Sequence, residues 1–449
     1  MVGADGVHRS VTVRTVQLRA SEVARATGGT LIGDDVVFAA VSIDSRLSAP
    51  GSLFVALRAG RDGHGFVGDA VAAGATGCLC DHPVDAPVCV VVPDTAVALR
   101  QLGAHARALL GDRVVGITGS VGKTSTKDLA ASVLGTWYAT WANKRSFNNE
   151  LGVPLTLLGA PSGTEATVVE MGMAGFGHIA ELCEVARPTV GVVTAVALVH
   201  TSAVGDLDGV QRAKQELVEH LPVSGYAVLN ADDPRVAAMA PATDARVVTF
   251  GSGGHVSCDE VTLGDDLRPR FRLVSDWGSV DVEVAARGVH QVHNALAAAT
   301  VGLLWGVDLA GVAEGLASAE LSPWRMEMTC APGGARIIND AYNANPTAAE
   351  AALRSLVAVP AHRHIAALGT MADLGVHSEV EHRRIAEVAA ALGVRLVAVA
   401  EPAYAAAENA SDPDEAIEVI GPLGPGDAVL VKASRSAGLE RLAAALVAD

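Results

Sequence analysis

The sequence predicts an α/β protein with three domains, and three observations support this prediction. The chain has 449 residues, more than a single hydrophobic core usually serves. Short apolar runs alternate with helix-like segments, as in parallel sheets covered by helices. A glycine-rich loop that ends in Gly122-Lys123-Thr124 joins one such run to a helix. We expect a small N-terminal α/β domain, a central P-loop ATPase-type parallel sheet with an antiparallel appendage, and a C-terminal Rossmann-like domain.

Composition excludes several classes of function. Half of the residues are hydrophobic and 18% are charged, which is typical of a well-packed globular enzyme. The net charge of −17 argues against nucleic acid or anionic membranes as partners. The first residues lack the apolar core of a signal peptide, and no apolar run approaches the length of a membrane span. We therefore expect a cytoplasmic monomer without membrane insertion, in which the six scattered cysteines are inert.

The N-terminal domain is predicted to cover residues 1–96. Strand-like runs at 36–46, 51–57 and 77–80 are interrupted by one short helix at 66–75. An amphipathic helix over 93–110, with Asp94 in position to cap it, leads into the next domain.

The central domain is predicted over 97–322 and the C-terminal domain over 323–449. Strand–helix alternation indicates a parallel sheet in the first part of the central domain, and alternating strands with little helix over 245–288 indicate its antiparallel appendage. A helix follows at 293–307. The C-terminal domain alternates strands and helices again, as a small doubly wound sheet does; its strands are predicted at 335–340, 364–369, 395–400 and 427–433, and its helices at 345–359 and 379–392.

The glycine-rich loop predicts a phosphate site. The common pattern places a glycine at the position of Ile117, whereas here the earlier glycine is Gly119. Backbone N–H groups at a helix start still favour an anion, Lys123 suits the β- and γ-phosphates, and the Thr124 hydroxyl suits Mg²⁺. ATP and Mg²⁺ are therefore the predicted cofactors, although a glycine turn without a ligand is the alternative. The predicted nucleotide contacts in the loop are Gly119, Ser120, Gly122, Lys123, Thr124 and Ser125.

Polar residues at the ends of two later strands are candidate metal ligands. Glu170 follows one buried run and His200 follows another, so both belong at the carboxyl edge of the predicted sheet. Each has the alternative interpretation of a hydrogen-bonded polar residue at a strand end. Lys214 lies in a helical segment, where an exposed surface lysine is the default expectation.

Seven segments, taken in order, resemble the Mur ligases. They are residues 118–125, 143–158, 168–173, 228–234, 293–299, 338–346 and 429–436. Within the family, 147–158 and 340–353 are most similar to the branch that adds D-alanyl-D-alanine to UDP-N-acetylmuramoyl-tripeptide. The resemblance implies that ATP phosphorylates a carboxylate and that an amine then attacks the acyl phosphate. The sequence departs from the family pattern at three places. Trp324 stands where glycine is usual, Thr370 stands where an acid is usual, and a carboxylate is missing beside His200.

The resemblance also implies roles for individual residues. Lys123 and Thr124 would serve ATP and Mg²⁺, Glu170 and His200 would bind Mg²⁺, and Lys214 matches a lysine that is carbamylated in several members. These five catalytic or metal positions are accompanied by nucleotide contacts at His290, Asn294, Arg325 and Asp340, and by Tyr342 in the same signature. Substrate contacts are implied at Ser45, Arg46, Asn148, Asn149, Asn343 and Asn345, and the segments 44–46 and 60–64 resemble the UDP-sugar end.

Other functions stay open at this point. A P-loop kinase for a small alcohol would use the same loop without an amine-binding domain. A nucleotide-dependent switch or scaffold would hydrolyse ATP slowly and bind a protein. A folate or cyanophycin-type ligase would share the loop but lack the muramoyl-like first domain.

Overall fold

A computed structural model describes residues 17–58, 60–143, 147–198 and 201–448, with the side chains of residues 201 and 202 left aside. The chain forms two compact units. One contains the described residues of Met1–Asp112 together with Glu150–Glu165, and the other contains those of Arg113–Asn149 and Ala166–Asp449.

The N-terminal unit is built on a five-stranded mixed sheet of order β2-β7-β6-β5-β4, with β1 and β3 paired separately. The neighbours from β7 to β4 are parallel, and only β2 runs antiparallel. Its strands are β1 (Leu18–Arg19), β2 (Thr30–Ile32), β3 (Val37–Phe38), β4 (Ala40–Ser42), β5 (Ser52–Val55), β6 (Gly77–Cys80) and β7 (Cys89–Val91). Its first helices are α1 (Ala20–Thr27), α2 (Val67–Ala72) and α3 (Thr95–Arg107). The predicted cap of α3 is confirmed, since Asp94 Oδ1 accepts from the amides of Ala96 and Val97.

The second unit begins with a nine-stranded sheet of order β16-β15-β14-β13-β12-β11-β8-β10-β9. Its strands are β8 (Arg113–Thr118), β9 (Thr140–Ala142), β10 (Ala166–Glu170), β11 (Val190–Val193), β12 (Tyr226–Asn230), β13 (Arg246–Phe250), β14 (Val256–Leu263), β15 (Pro269–Ser275) and β16 (Gly278–Glu283). Its helices are α4 (Lys123–Gly135), α6 (His178–Ala186), α7 (Thr201–Val204), α8 (Leu207–Glu219), α9 (Pro234–Ala237), α10 (Gln291–Leu304) and α11 (Leu309–Ser318), while α5 (Gly152–Leu158) belongs to the N-terminal unit.

The strand directions in this sheet confirm the predicted parallel core with an antiparallel appendage. All pairs from β9 to β14 are parallel, and the pairs β14–β15 and β15–β16 are antiparallel. The appendage therefore extends the same sheet. Strand β8 lies between β10 and β11, so the loop that follows it opens where the chain crosses from one side of the sheet to the other. Such a switch point is where parallel sheets bind ligands.

The C-terminal part of the same unit is a six-stranded sheet of order β17-β18-β22-β19-β20-β21. Its strands are β17 (Glu327–Cys330), β18 (Arg336–Asn339), β19 (Arg363–Leu368), β20 (Arg395–Val399), β21 (Glu408–Ala410) and β22 (Asp427–Lys432). Its helices are α12 (Pro346–Val357), α13 (Ser378–Ala391), α14 (Pro413–Ile420) and α15 (Glu440–Ala448). Successive strand residues alternate between two cores: Ile338 packs with α12 and α13, and Ile337 packs with α14 and α15. Helices on both faces of a mostly parallel sheet confirm the Rossmann-like prediction.

A turn that joins two strands of the nine-stranded sheet places one residue in the core of the C-terminal sheet. Leu267, in the turn between β14 and β15, is fully buried and packs in the cluster that contains Ile338 and Leu353. Its φ is 65°, an uncommon conformation for a leucine. Gly288 N donates to its carbonyl at 2.8 Å, which holds the turn in place.

Candidate active site

Two glycines of the loop between β8 and α4 permit close contacts that a side chain would prevent. A Cβ on Gly119 would lie 1.8 Å from Thr194 Oγ1, and one on Gly122 would lie 2.3 Å from Asn294 Oδ1. Gly122 also has a φ of 82°, in the left-handed region, at the start of α4. The displaced glycine at 119 is thus explained by packing against the loop after β11. Ile117, at the position where the common pattern has a glycine, is a fully buried residue of β8.

The loop is fixed to the neighbouring strand end by hydrogen bonds. Ser120 N donates to the Ala195 carbonyl at 2.8 Å, and Thr194 Oγ1 donates to the Val121 carbonyl at 2.6 Å. Lys123 Nζ donates to the Gly119 carbonyl at 2.6 Å, which places its ammonium over the loop. Burial lowers the pKa of Lys123, the nearby Glu170 opposes that shift, and Arg325 adds to it. The result is a rigid, positively charged cradle at a helix N-terminus, suited to phosphates.

Glu170 lies at the end of β10 with one carboxylate oxygen satisfied and one free. The residue is 1% exposed. Its Oε1 accepts from Asn148 Nδ2 at 2.7 Å, and its backbone N–H donates to Asn143 Oδ1 at 3.0 Å. Oε2 is buried and has no hydrogen-bond partner among the described residues. A buried carboxylate oxygen without a hydrogen-bond partner is a suitable ligand for a cation, so the surroundings of Glu170 are compatible with its predicted metal role.

Lys214 is fully buried on α8, so the default expectation of an exposed lysine is wrong. Its polar contact among the described residues is Met173 Sδ, 4.0 Å from Nζ. Burial, followed by repulsion from Lys123, lowers its pKa well below the usual value. The helix carries an amphipathic pattern, and Lys214 lies on its buried face with Val210 and Leu217. An ammonium without a counter-ion is strongly disfavoured there.

Two of the predicted residues near this centre have less structural support. His200 lies outside the described residues, so its metal role stays a prediction. Asn149 is exposed, unlike its half-buried neighbour Asn148.

A second group of predicted residues packs on α4 from helix α10. Asn294 Oδ1 accepts from Thr126 Oγ1 at 3.2 Å, and its amide nitrogen donates to Gln291 Oε1 at 2.8 Å. Gln291 Nε2 in turn lies 3.5 Å from the Ser125 hydroxyl. His290 precedes this helix, is half-buried, and has no partner for its buried Nδ1 among the described residues. Burial lowers the pKa of His290 to about 4, with Asp340 opposing and Lys432 and His293 assisting, so the ring is neutral at pH 7.

The C-terminal sheet contributes Arg325 and Asp340. Arg325 Nη2 donates to Thr124 Oγ1 at 2.9 Å, which brings this predicted residue directly to the glycine-rich loop. Asp340 is buried at the end of β18, where Oδ1 accepts from Met326 N at 3.1 Å and Oδ2 forms an ion pair with Lys432. Lys432 is 2% exposed and also donates to the Asn343 carbonyl at 2.9 Å.

The remaining predicted contacts differ in how available their side chains are. Asn343 is exposed, whereas Asn345 is buried and caps α12 by accepting from Ala348 N at 2.9 Å. In the N-terminal unit, Ser45 begins a 3₁₀ turn that Asp44 caps. Arg46 is 86% exposed and binds the carboxylate of Asp44 through two nitrogens. His64 of the 60–64 segment accepts from Asp81 N through Nε2 at 3.2 Å.

Sequence reasoning missed three residues that shape the site: Asn143, Gln291 and Lys432. Lys432 offered the clearest signal, because a lysine at the end of the apolar run 427–433 needs a buried partner. The other two are amides that contact distant parts of the chain, Asn143 at Glu170 and Gln291 at Ser125, and local patterns do not indicate these contacts.

Comparison with known families agrees with the resemblance of the motifs. The Mur ligase middle domain matches residues 117–302, and the Mur ligase glutamate ligase domain matches residues 324–435. A relative from Mycobacterium tuberculosis (strain ATCC 25618 / H37Rv), named UDP-N-acetylmuramoyl-tripeptide–D-alanyl-D-alanine ligase, is 39% identical over 97% of this chain and 98% of its own. The chain belongs to the Mur ligase family.

Solved structures of Mur ligases share the fold. The crystal structure I of MurF from Acinetobacter baumannii covers 97% of this chain and 100% of its own, with a TM-score of 0.88 and 30% identity. MurF ligase from Thermotoga maritima, solved in complex with ADP, covers 91% of this chain and 97% of its own, with a TM-score of 0.81 and 26% identity. As to membranes, none of the helices among the described residues has the length and apolar character needed to cross one.

Proposed function

We propose that the protein is an ATP-dependent ligase of cytoplasmic peptidoglycan synthesis. It adds D-alanyl-D-alanine to UDP-N-acetylmuramoyl-tripeptide and yields UDP-N-acetylmuramoyl-pentapeptide, ADP and phosphate. The observation that carries this proposal is the likeness over 97% of the chain to a ligase named for that reaction. A small-molecule kinase would account for the glycine-rich loop but not for the C-terminal glutamate ligase domain matched at residues 324–435.

The reaction must make a carboxylate electrophilic. The terminal carboxylate of the tripeptide attacks the γ-phosphorus of ATP, so that a C–O–P linkage forms and ADP leaves. The deprotonated amine of the dipeptide then attacks the acyl carbon; the C–N bond forms and phosphate departs with the C–O bond electrons. Lys123 and the amides at the start of α4 would hold the phosphates, and Arg325 is already bonded to Thr124 at 2.9 Å from the other side.

The residues present fit Mg²⁺. Thr124 offers a hydroxyl and Glu170 a buried carboxylate oxygen without a partner, and both are hard oxygen donors. When bound, the ion would neutralise charge on the phosphates during transfer. We include His200 among its ligands on the strength of the family resemblance.

We also propose that Lys214 is carbamylated. Burial lowers the pKa of its amine, which favours the neutral form that attacks CO₂. An N–C bond forms between this neutral amine and CO₂, a proton is released, and the side chain becomes an anion near Lys123.

The proposed division into domains at 1–96, 97–322 and 323–449 assigns the UDP-substrate, ATP and dipeptide to successive domains, with Ser45, Arg46, Asn148, Asn149, Asn343 and Asn345 as substrate contacts.

Omission of single substrates tests the proposal. Phosphate release should require ATP, the UDP-tripeptide and D-alanyl-D-alanine together, and the Lys123→Ala variant should lose it. Turnover with a single amino acid in place of the dipeptide would assign a different amino-acid ligase. Turnover of ATP without any amine would instead support the kinase alternative.

A further inference from the structure

The segment that leads into the C-terminal sheet holds an arginine between two residues in the left-handed region. Trp324 has a φ of 59° and Met326 a φ of 52°, on either side of Arg325. Bulky side chains rarely adopt such angles unless the surroundings impose them, and they are frequent at functional sites. Here both flanking residues are tied to one loop: Tyr342 N donates to the Trp324 carbonyl at 3.3 Å, and Met326 N donates to Asp340 Oδ1 at 3.1 Å.

Four planar groups stack beside this segment. The guanidinium of Arg435 lies 4.3 Å from the ring centre of Trp324, and the Trp324 and Tyr342 rings are 6.5 Å apart and inclined by 28°. The guanidinium of Arg325 lies 4.3 Å from the Tyr342 ring centre. We call Arg435, Trp324, Tyr342 and Arg325 the guanidinium–aromatic stack. Its order places a cation at each end and the two rings between them.

The two ends of the stack have different surroundings. Arg435 is paired with Glu440 at 2.6 Å, so its charge is compensated. Arg325 forms one hydrogen bond, to Thr124, and its buried Nε has no hydrogen-bond partner among the described residues. A guanidinium with unused donors beside a phosphate-binding loop is ready for an anion. Since a single hydrogen bond leaves the guanidinium free to turn, its plane is set mainly by the Tyr342 ring.

We propose that Trp324 is a positioning residue that supports Tyr342 and thereby aims Arg325 at the nucleotide phosphates. The inference rests on the proposed function only in taking an adenine nucleotide as the ligand. It gives the indole ring of Trp324 a role in nucleotide binding, which adjacency to Arg325 in the sequence does not by itself imply.

The binding test compares MgADP affinity, by calorimetry, in the full-length protein and three variants. Trp324→Gly removes the ring and relieves the backbone, because glycine accepts a φ near 60° without strain; we expect about tenfold weaker binding, the loss of one stacked contact. Trp324→Phe keeps an aromatic face and should stay within about threefold of the unaltered protein. Trp277→Phe, at an indole that is 44% exposed in the turn between β15 and β16, is the matched control and should change nothing.

Stability and kinetics separate positioning from a merely structural role. Trp324→Gly should unfold at a temperature close to that of the unaltered protein and should raise KM for ATP more than it lowers kcat. Unchanged MgADP affinity in Trp324→Gly, equally weak binding in Trp324→Phe, or a large loss of stability would each overturn the inference. Tight MgADP binding with the expected variant pattern but no ligase turnover would refute the proposed function and leave this inference intact.

Discussion

Arg325 of the C-terminal sheet donates a hydrogen bond to the hydroxyl of Thr124 in the glycine-rich loop, 2.9 Å away. Because the planar fork of arginine fits phosphate oxygens and stacks on Tyr342, lysine is a poor substitute. Arg325→Lys should lower kcat/KM for ATP on the order of 100-fold, measured by coupled ADP release. The control is Arg354→Lys, which alters an ion pair with Glu350 on the surface of α12 and should have no effect.

Glu170→Gln should weaken divalent metal binding. The change keeps the hydrogen bond of the Oε1 position with Asn148 possible but removes the negative charge at the free oxygen. Titration with Mn²⁺, followed by electron paramagnetic resonance in the presence of ADP, should show at least about tenfold weaker binding. Asn148→Ala leaves both carboxylate oxygens of Glu170 in place, so it should retain most of the metal affinity. Equal Mn²⁺ binding in Glu170→Gln and the unaltered protein would contradict a ligand role.

Lys214 should take up CO₂. With ¹³C-bicarbonate near pH 8, a carbamate signal should appear in the NMR spectrum of the protein and be absent in Lys214→Gln. The lowered pKa of Lys214 favours the neutral amine, and Lys432, which is buried but paired with Asp340, serves as an internal comparison that should stay unlabelled. The idea fails if the signal survives in Lys214→Gln, or if no signal appears at saturating bicarbonate.

His290 should make the fold sensitive to acid. Its pKa is lowered from 6.5 to about 4, so between these values the unfolded chain binds a proton that the folded protein does not. The contribution is therefore present above pH 6.5 and is lost as the pH falls towards 4, by at most about 3 kcal/mol. Urea unfolding at pH 7.5 and pH 5 should show a smaller decrease for His290→Gln. The exposed His220→Gln should behave as the unaltered protein does.

Leu267→Ala should destabilise the second unit. The side chain is fully buried in the core of the C-terminal sheet, so truncation should lower the free energy of unfolding by about 2–5 kcal/mol. Val376→Ala removes a side chain that is 93% exposed and should change stability by less than about 0.5 kcal/mol. A decrease in Leu267→Ala no larger than in Val376→Ala would show that the cluster does not depend on this leucine.

Local patterns in the sequence were sufficient for the regular elements and for the glycine-rich loop. The helix expected over 93–110 is α3 (Thr95–Arg107), and the helix expected after the loop is α4 (Lys123–Gly135). Both depend on near neighbours: a capping aspartate, an apolar period, and a glycine at the helix start. Glu170 was also located correctly, since the end of a buried strand fixes its place at the sheet edge.

The parts that could not be predicted depend on contacts between distant residues. The burial of Lys214 follows from which face of α8 meets the sheet, and the displaced Gly119 is explained only by Thr194, which approaches from another strand end. The ion pair of Asp340 with Lys432 joins residues 92 positions apart. Composition and periodicity describe none of these pairings, because they are set by tertiary packing.

The position of Leu267 also has a consequence for biosynthesis. During translation the β14–β15 turn leaves the ribosome well before residues 327–432 have been made. Leu267 therefore stays exposed to water until the sheet that buries it has formed. A fragment that stops short of that sheet would display this apolar side chain on a turn held at an unfavourable backbone angle. If the two sheets were expressed as separate fragments, the first fragment would therefore be prone to aggregation and would not fold as an independent unit.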